Sequence, residues 1–170
     1  VLGNHEYYRG KIGDAYTLKN RDIFNDIENM HILSRDTPSV VIPGIKFVGA
    51  SLWTPLKEVG FLDYNIINDV KSIKSVSGRG YGKFGSDAWK RENELDFEWI
   101  KSEVEKDDMS KVVISHHAPI ITEDPRDKAG KNLHHNCSEL SDFISTHQDI
   151  KLWIHGHVHQ KDKIDRKRGV

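Results

Sequence analysis

Three apolar runs in this sequence stop abruptly at residues able to bind a cation, and that arrangement constrains the fold more than any other feature. Val1-Leu2 passes into Gly3-Asn4-His5-Glu6, Val112-Val113-Ile114-Ser115 into His116-His117-Ala118-Pro119, and the run from Ile150 to Ile154 into His155-Gly156-His157-Val158-His159. Short β-branched runs of this kind read as buried strands. In an α/β sheet, sites form beyond the carboxyl ends of the strands, where side chains from several strands converge. The expected fold class is therefore α/β, with the site at the strand ends.

The rest of the chain fits one domain. Residues 16–29 read as a helix, with Leu18, Ile23, Phe24 and Ile27 as its apolar stripe. Residues 39–42 and 46–53 read as strands joined by Pro43-Gly44, a hairpin signal. Residues 63–73 have helical spacing, 77–85 read as an exposed glycine-rich loop, and 87–105 read as the longest helix. That helix carries Phe97, Ile100 and Val104 on one face, with Leu95 and Trp99 beside them. Residues 120–133 read as a polar loop, and Ser138 as the N-cap of a short helix with the stripe Leu140, Phe143, Ile144 and His147. The basic stretch 161–170 reads as a solvated turn or edge strand.

Composition narrows the function classes. A net charge of −1 gives no electrostatic indication of nucleic-acid or membrane binding. No apolar run approaches the roughly 20 residues a membrane helix needs. The single cysteine, Cys137, cannot form an internal disulfide, and the expected location is cytoplasmic. Ten histidines are the oddity, and five of them fall in the two groups 116–117 and 155–159. Histidine is the commonest neutral metal ligand, so composition leans toward a metal site.

Each motif has a chemistry and a plainer reading. In Gly156-His157-Val158-His159 the two imidazoles lie two residues apart and face one side of an extended segment, close enough for one metal or two adjacent ones. Alone, the pattern also fits a polar turn. Asn4 offers a neutral carbonyl oxygen that suits a hard or borderline divalent ion, and His5 can act as an acid or ligand. Alone, Gly3-Asn4 also fits a turn. His116 directly follows a buried strand, as a ligand or as a hydrogen-bonded, partly buried histidine.

Together and in this order, Gly3-Asn4-His5-Glu6, the strand leading into His116-His117-Ala118-Pro119, and Gly156-His157-Val158-His159 resemble the calcineurin-like metallophosphoesterases across residues 3–159. The resemblance implies a four-layer α/β/β/α sandwich and two divalent ions of Mn, Fe, Zn or Ni. It implies Asn4, His116 and His157 as ligands of one metal and His159 as a ligand of the other. His5 is implied to contact the phosphate and protonate the leaving oxygen. The implied reaction is hydrolysis of a phosphomonoester or phosphodiester by a metal-bound hydroxide, the ions clamping the attacking and leaving oxygens. A non-catalytic binding scaffold is the alternative, and the retention of His5 counts against it.

The family pattern places Asp-x-His and Gly-Asp ahead of Gly-Asn-His, and this sequence has neither. The expectation is a single partial domain over 1–170, truncated at both ends, lacking the bridging aspartate and hydrolysing little by itself. Glu6 is expected to orient His5 or to form a salt bridge. His117 is expected to line the phosphate pocket or pack behind the site, and His155 to be a partner of the ligands. His134 and His135 are candidates for substrate contact or, less favourably, for a small nuclease motif. Tyr7, Tyr8 and Arg9 are candidates for substrate contact, and His31 and His147 read as structural or surface residues. Substrate choice is expected to reside in loops 7–14, 53–61, 77–85 and 120–133.

Overall fold

The computed structural model describes residues 1–12, 27–54, 67–77, 80–120 and 140–157. Its centre is a four-stranded mixed sheet in the order β1-β2-β5-β6, where β1 is Val40–Ile42, β2 Ile45–Ala50, β5 Ser110–Ser115 and β6 Ile150–His155. Strands β1 and β2 form the expected antiparallel hairpin, pairing Val40 with Phe47 and Ile42 with Ile45. Gly44 sits at φ 86 in the turn, a conformation that a side chain would strain. Strands β2, β5 and β6 run parallel, so their carboxyl ends lie at one edge.

Helices cover one face of this sheet. Helix α2 (Ser86–Glu105) and helix α3 (Ser141–Thr146) bring Ile100, Val104, Phe97, Trp99, Leu140 and Phe143 against Val48, Ala50, Leu52, Val113 and Ile150. Phe97 meets Phe143 edge-on at 5.3 Å, which joins the two helices. Fully burying residues such as Ile100 and Val104 contributes about 1.5–3 kcal/mol each. Trp153 joins this core and its indole N–H donates to Ser115 Oγ at 2.8 Å.

A second core lies beside the first. Ile12, Trp53, Ile67, Val70, Ile73, Phe84 and Trp89 pack together. They come from the N-terminal segment, the segment after β2, helix α1 (Asn68–Ser72) and its flanks, the residue after the hairpin of β3 (Lys74–Ser77) with β4 (Gly80–Lys83), and the first turn of α2. The Trp89 indole donates to the Thr54 carbonyl at 2.6 Å, pinning the start of α2 to this cluster.

Several expectations change. The glycine-rich stretch 77–85 is largely a strand pair rather than a loop, with Val76 opposite Tyr81. Its ends are fixed because Ile73 and Phe84, both buried, hydrogen-bond across the hairpin base at 3.2 Å. The strand expected over 46–53 stops at Ala50, because Leu52 adopts φ 54, which extended backbone cannot continue through. Leu95 is 40% exposed, while Asp96 and Glu103 occupy buried positions on α2. Val1-Leu2 forms no ladder; the Leu2 carbonyl is held instead by Ser51 Oγ at 2.7 Å. Leu140, not Ser138, precedes α3, and Ser138 lies outside the described residues.

Other expectations fall partly or wholly outside the described residues. The helix expected over 16–29 is described only at 27–29, a turn in which Asn29 has φ 65. The 63–73 helix is described from its α1 part onward, and the chain is extended at Ile73. Most of loops 53–61 and 120–133, Cys137 and the basic stretch 161–170 are outside. No helix among the described residues is long and apolar enough to cross a membrane.

The amino end of the parallel strands carries an ionic network. Lys46 and Lys111 are ladder partners and both are buried. Lys46 Nζ lies 3.0 Å from both Glu103 Oε2 and Asp107 Oδ2; Lys111 Nζ lies 2.6 Å from Asp149 Oδ2 and also donates to the Asp107 carbonyl. The hydrogen bond from Lys46 holds the Asp107 carboxyl at about 2. Burial works against the charges of Glu103 and Asp149, but hydrogen bonds outweigh it, from Ser39 and then lysines for Glu103 and from Lys111 for Asp149, keeping both below the usual carboxylate range.

Asp96 behaves oppositely: burial pushes it up to about 6, although Arg35 and the Leu52 N–H favour its charge. Depressed carboxylates contribute stability above their unfolded pKa of about 4 and lose it as pH falls through their folded values. The raised Asp96 loses its contribution as pH rises from about 4 to 6. Urea unfolding followed by tryptophan fluorescence is therefore expected to show stability falling between about pH 4 and 2. Lys46→Met should flatten that fall; equal slopes for both proteins would refute the network's role.

Candidate metal centre

The parallel register builds the site. Ser115 pairs with His155, so His116 leaves β5 beside the point where Gly156-His157 leaves β6. The Gly156 N–H donates to the His116 carbonyl at 3.0 Å, and the His117 N–H donates to the Ser51 carbonyl at 3.1 Å. Ser51, just past β2, also holds Leu2 through its hydroxyl. The Gly3-Asn4-His5 segment is thereby brought alongside the ends of three parallel strands. Residues His5–Tyr7 form one 3-10 turn.

Three donor atoms converge there. His116 Nε2 lies 2.9 Å from Asn4 Oδ1 and 3.0 Å from His157 Nδ1. Asn4 is buried, while His116 and His157 are half-buried. His157 adopts φ 64, an uncommon conformation for a residue with a Cβ, and one that aims its ring at His116. Among the described residues no group of three or more His, Cys, Asp or Glu side chains forms a metal cluster; the convergent set is two histidines and an asparagine. His159 lies outside the described residues, as do His134 and His135.

Gly3 explains the approach of His116. A Cβ added at Gly3 would stand 2.6 Å from both Cε1 and Nδ1 of that ring. Glu6 Oε2 accepts the Gly3 N–H at 2.7 Å, so this carboxylate braces its own loop. His5 is exposed next to the cluster, and its ring stacks on Tyr8 with centroids 4.5 Å apart.

His117 is fully buried, with its ring 4.3 Å from His157 and 5.2 Å from Trp53. That placement corresponds to packing behind the site. Tyr7 turns toward the second core, 5.8 Å from Trp53, and burial raises its pKa. Arg9, at φ 61, is tied by its N–H to the Ser72 carbonyl at 2.8 Å. His155 is half-buried, its Nδ1 3.4 Å from the Gly156 carbonyl. His31 is exposed, and His147 packs on Phe143 with its Nδ1 2.8 Å from that residue's carbonyl.

Sequence reasoning missed Asp69. This buried carboxylate on α1 accepts from Asn4 Nδ2 at 2.8 Å and from the Tyr8 hydroxyl at 2.7 Å. Its only sequence signal is an acidic residue inside an apolar helical stripe, between Ile66-Ile67 and Val70. Burial, then the hydrogen bond and charge of Asp69, raise the Tyr8 pKa, so this hydroxyl stays protonated and donates.

The close approach at Gly3 is testable. Gly3→Ala forces His116 to move and is expected to cost about 1–3 kcal/mol in chemical denaturation. Gly156→Ala meets only the His116 carbonyl at 3.7 Å and His116 Nδ1 at 3.8 Å, ordinary contacts, and is expected to cost less. Equal losses would show that the crowding at Gly3 is unimportant.

No curated protein and no solved structure matches the chain. Its sequence does match the calcineurin-like phosphoesterase family over residues 1–161. Metal-dependent chemistry on phosphate esters is the kind of function that this family carries. With a match across nearly the whole sequence, the chain belongs to the calcineurin-like phosphoesterase family.

Proposed function

We propose that this chain forms part of a divalent-metal site, held by Asn4, His116, His157 and His159, at which the whole protein hydrolyses a phosphomonoester or phosphodiester, with His5 as the acid that protonates the leaving oxygen. One observation carries the reading: His116 Nε2 stands within 3.0 Å of both Asn4 Oδ1 and His157 Nδ1. The asparagine oxygen can only accept, and each neutral imidazole carries a single N–H. Hydrogen bonding would have to share the one N–H of His116 Nε2 between its two neighbours, whereas a cation would engage all three atoms at once. Mixed imidazole and carbonyl ligation suits Mn, Fe, Zn or Ni. When bound, such ions supply Lewis acidity toward a phosphoryl oxygen and acidify a water molecule.

The chain's own residues supply the rest. Asn4 contributes a neutral oxygen whose direction is fixed by Asp69. His5, exposed one residue from Asn4 and lying flat on Tyr8, can reach a substrate oxygen and donate a proton as the P–O bond breaks. His117 supports the plane of His157 from behind. The assignment of His159 rests on the His-x-His spacing and the family resemblance.

In the whole protein, His5→Ala is expected to lower manganese-dependent release of p-nitrophenol from p-nitrophenyl phosphate or its bis ester by about 10²–10⁴. Metal content, measured by elemental analysis, should be unchanged. Loss of metal in that variant would make His5 a ligand and overturn its role as acid. A whole protein that holds the metal yet cleaves neither ester would be the binding scaffold instead.

A further inference from the structure

We infer that Asp69 is the positioning residue of this site, a single carboxylate oxygen that sets the direction of the Asn4 ligand and, through Tyr8, the plane of His5. The inference rests on the metal-site reading above. Asp69 Oδ1 accepts from Asn4 Nδ2 at 2.8 Å and from the Tyr8 hydroxyl at 2.7 Å, and Tyr8 in turn carries the His5 ring at 4.5 Å.

The chemistry makes the arrangement directional. An ionised carboxylate only accepts, so the Asn4 NH2 must face Asp69 and its Oδ1 must face His116. The flipped amide would set oxygen against oxygen on one side and NH2 against the histidines on the other. Asp69 is buried, and a buried charge is tolerated only with donors such as these around it.

The support is rigid. Asp69 lies on α1, whose Ile73 N–H donates back to the Asp69 carbonyl at 2.9 Å. The chain after it is laced to the loop after His5: Arg9 N–H donates to Ser72 O at 2.8 Å, Lys74 N–H to Gly10 O at 3.0 Å, and Ile12 N–H to Lys74 O at 2.9 Å. Asn4, Tyr8 and Asp69 are thus held by backbone bonds as well as by their own side chains.

The test uses the full chain and Co²⁺ alone. Asp69→Asn keeps the shape and removes the obligatory acceptor; it is expected to weaken Co²⁺ binding about 10–100-fold. The visible Co²⁺ spectrum should change as well, while circular dichroism reports a folded protein at the assay temperature. In an Asn4→Ala background the same substitution should add no more than about twofold, because Asp69 acts through Asn4. Tyr8→Phe should leave Co²⁺ affinity intact and lower kcat about twofold to tenfold at constant KM.

Unchanged Co²⁺ affinity in Asn4→Ala would overturn the ligand set and this inference with it. A loss in Asn4→Ala without one in Asp69→Asn, or additive losses in the double variant, would overturn the inference alone. Should Asp69→Asn fail to fold, Tyr8→Phe decides, and an unchanged kcat overturns the arm that reaches His5.

Discussion

Parallel strands place all their carboxyl ends at one edge of a sheet, and the site depends on that geometry. The pairing of β2 with β5 and β5 with β6 puts Ser51, His116 and His157 at the same edge. A one-residue slip between β5 and β6 would turn every side chain of one strand to the opposite face. The inward packing of Val113, Ile150 and Trp153 against α2 and α3 prevents that slip, so the apolar core sets the register on which the histidines rely. The opposite edge has the reverse character. Lys46 and Lys111 stand side by side there, and Glu103, Asp107 and Asp149 make burial of both cations tolerable. Breaking such a pair by removing one partner is costly chiefly because it leaves a buried charge behind.

The segment just after β2 connects fold to site. Leu52 leaves the extended conformation at φ 54 while fully buried, and its N–H is held by Asp96 Oδ2 at 2.9 Å. Arg35 meets the other oxygen of Asp96 at 2.7 Å and also Glu92, so three charged groups near one stretch of α2 and the loop before β1 fix this bend. The bend delivers Trp53 between Phe84 and Trp89 on one side and His117 on the other. His117 then backs His157. The His157 ring is therefore connected to the core by an unbroken series of packed rings rather than by a loop alone.

Much of this was legible in the sequence, and the exceptions have physical causes. Periodicity located the β1–β2 hairpin, α2, β5, α3 and β6 because each carries its own apolar pattern. It missed the β3–β4 hairpin because Gly80 and Gly82 hide an alternation that backbone pairing supplies. It placed Leu95 beside the apolar face and did not foresee Asp96 and Glu103 at buried positions, because helical spacing alone cannot see that their partners lie far along the chain. That His116 and His157 come together was readable from strand ends followed by polar residues; Asn4 joins them although Val1-Leu2 is not a strand. Asp69 was not, because its function lies in a contact spanning 65 residues of sequence and in no local motif. His117 was ambiguous in sequence, since adjacent histidines at a strand end point in different directions; the structure buries one and turns the other toward Asn4.

The same geometry carries a cost in the folded chain. His157 occupies a left-handed conformation that disfavours an ordinary side chain by roughly 1–2 kcal/mol, and its ring is aimed at another imidazole and an amide oxygen. Packing of its ring on His117 is one support; the others are the Gly156 bond to His116, the space left by Gly3, and the Asp69 side chain that holds the Asn4 NH2. A site assembled in advance in this way does not need to be ordered by its ligand, so binding energy is not consumed in organising the donors. By linkage, a cation that favours this arrangement over the unfolded chain stabilises the register of β5 and β6 as well. Fold and site would thus reinforce each other: the sheet presents the three side chains, and a cation bound by them would hold the sheet edge in place.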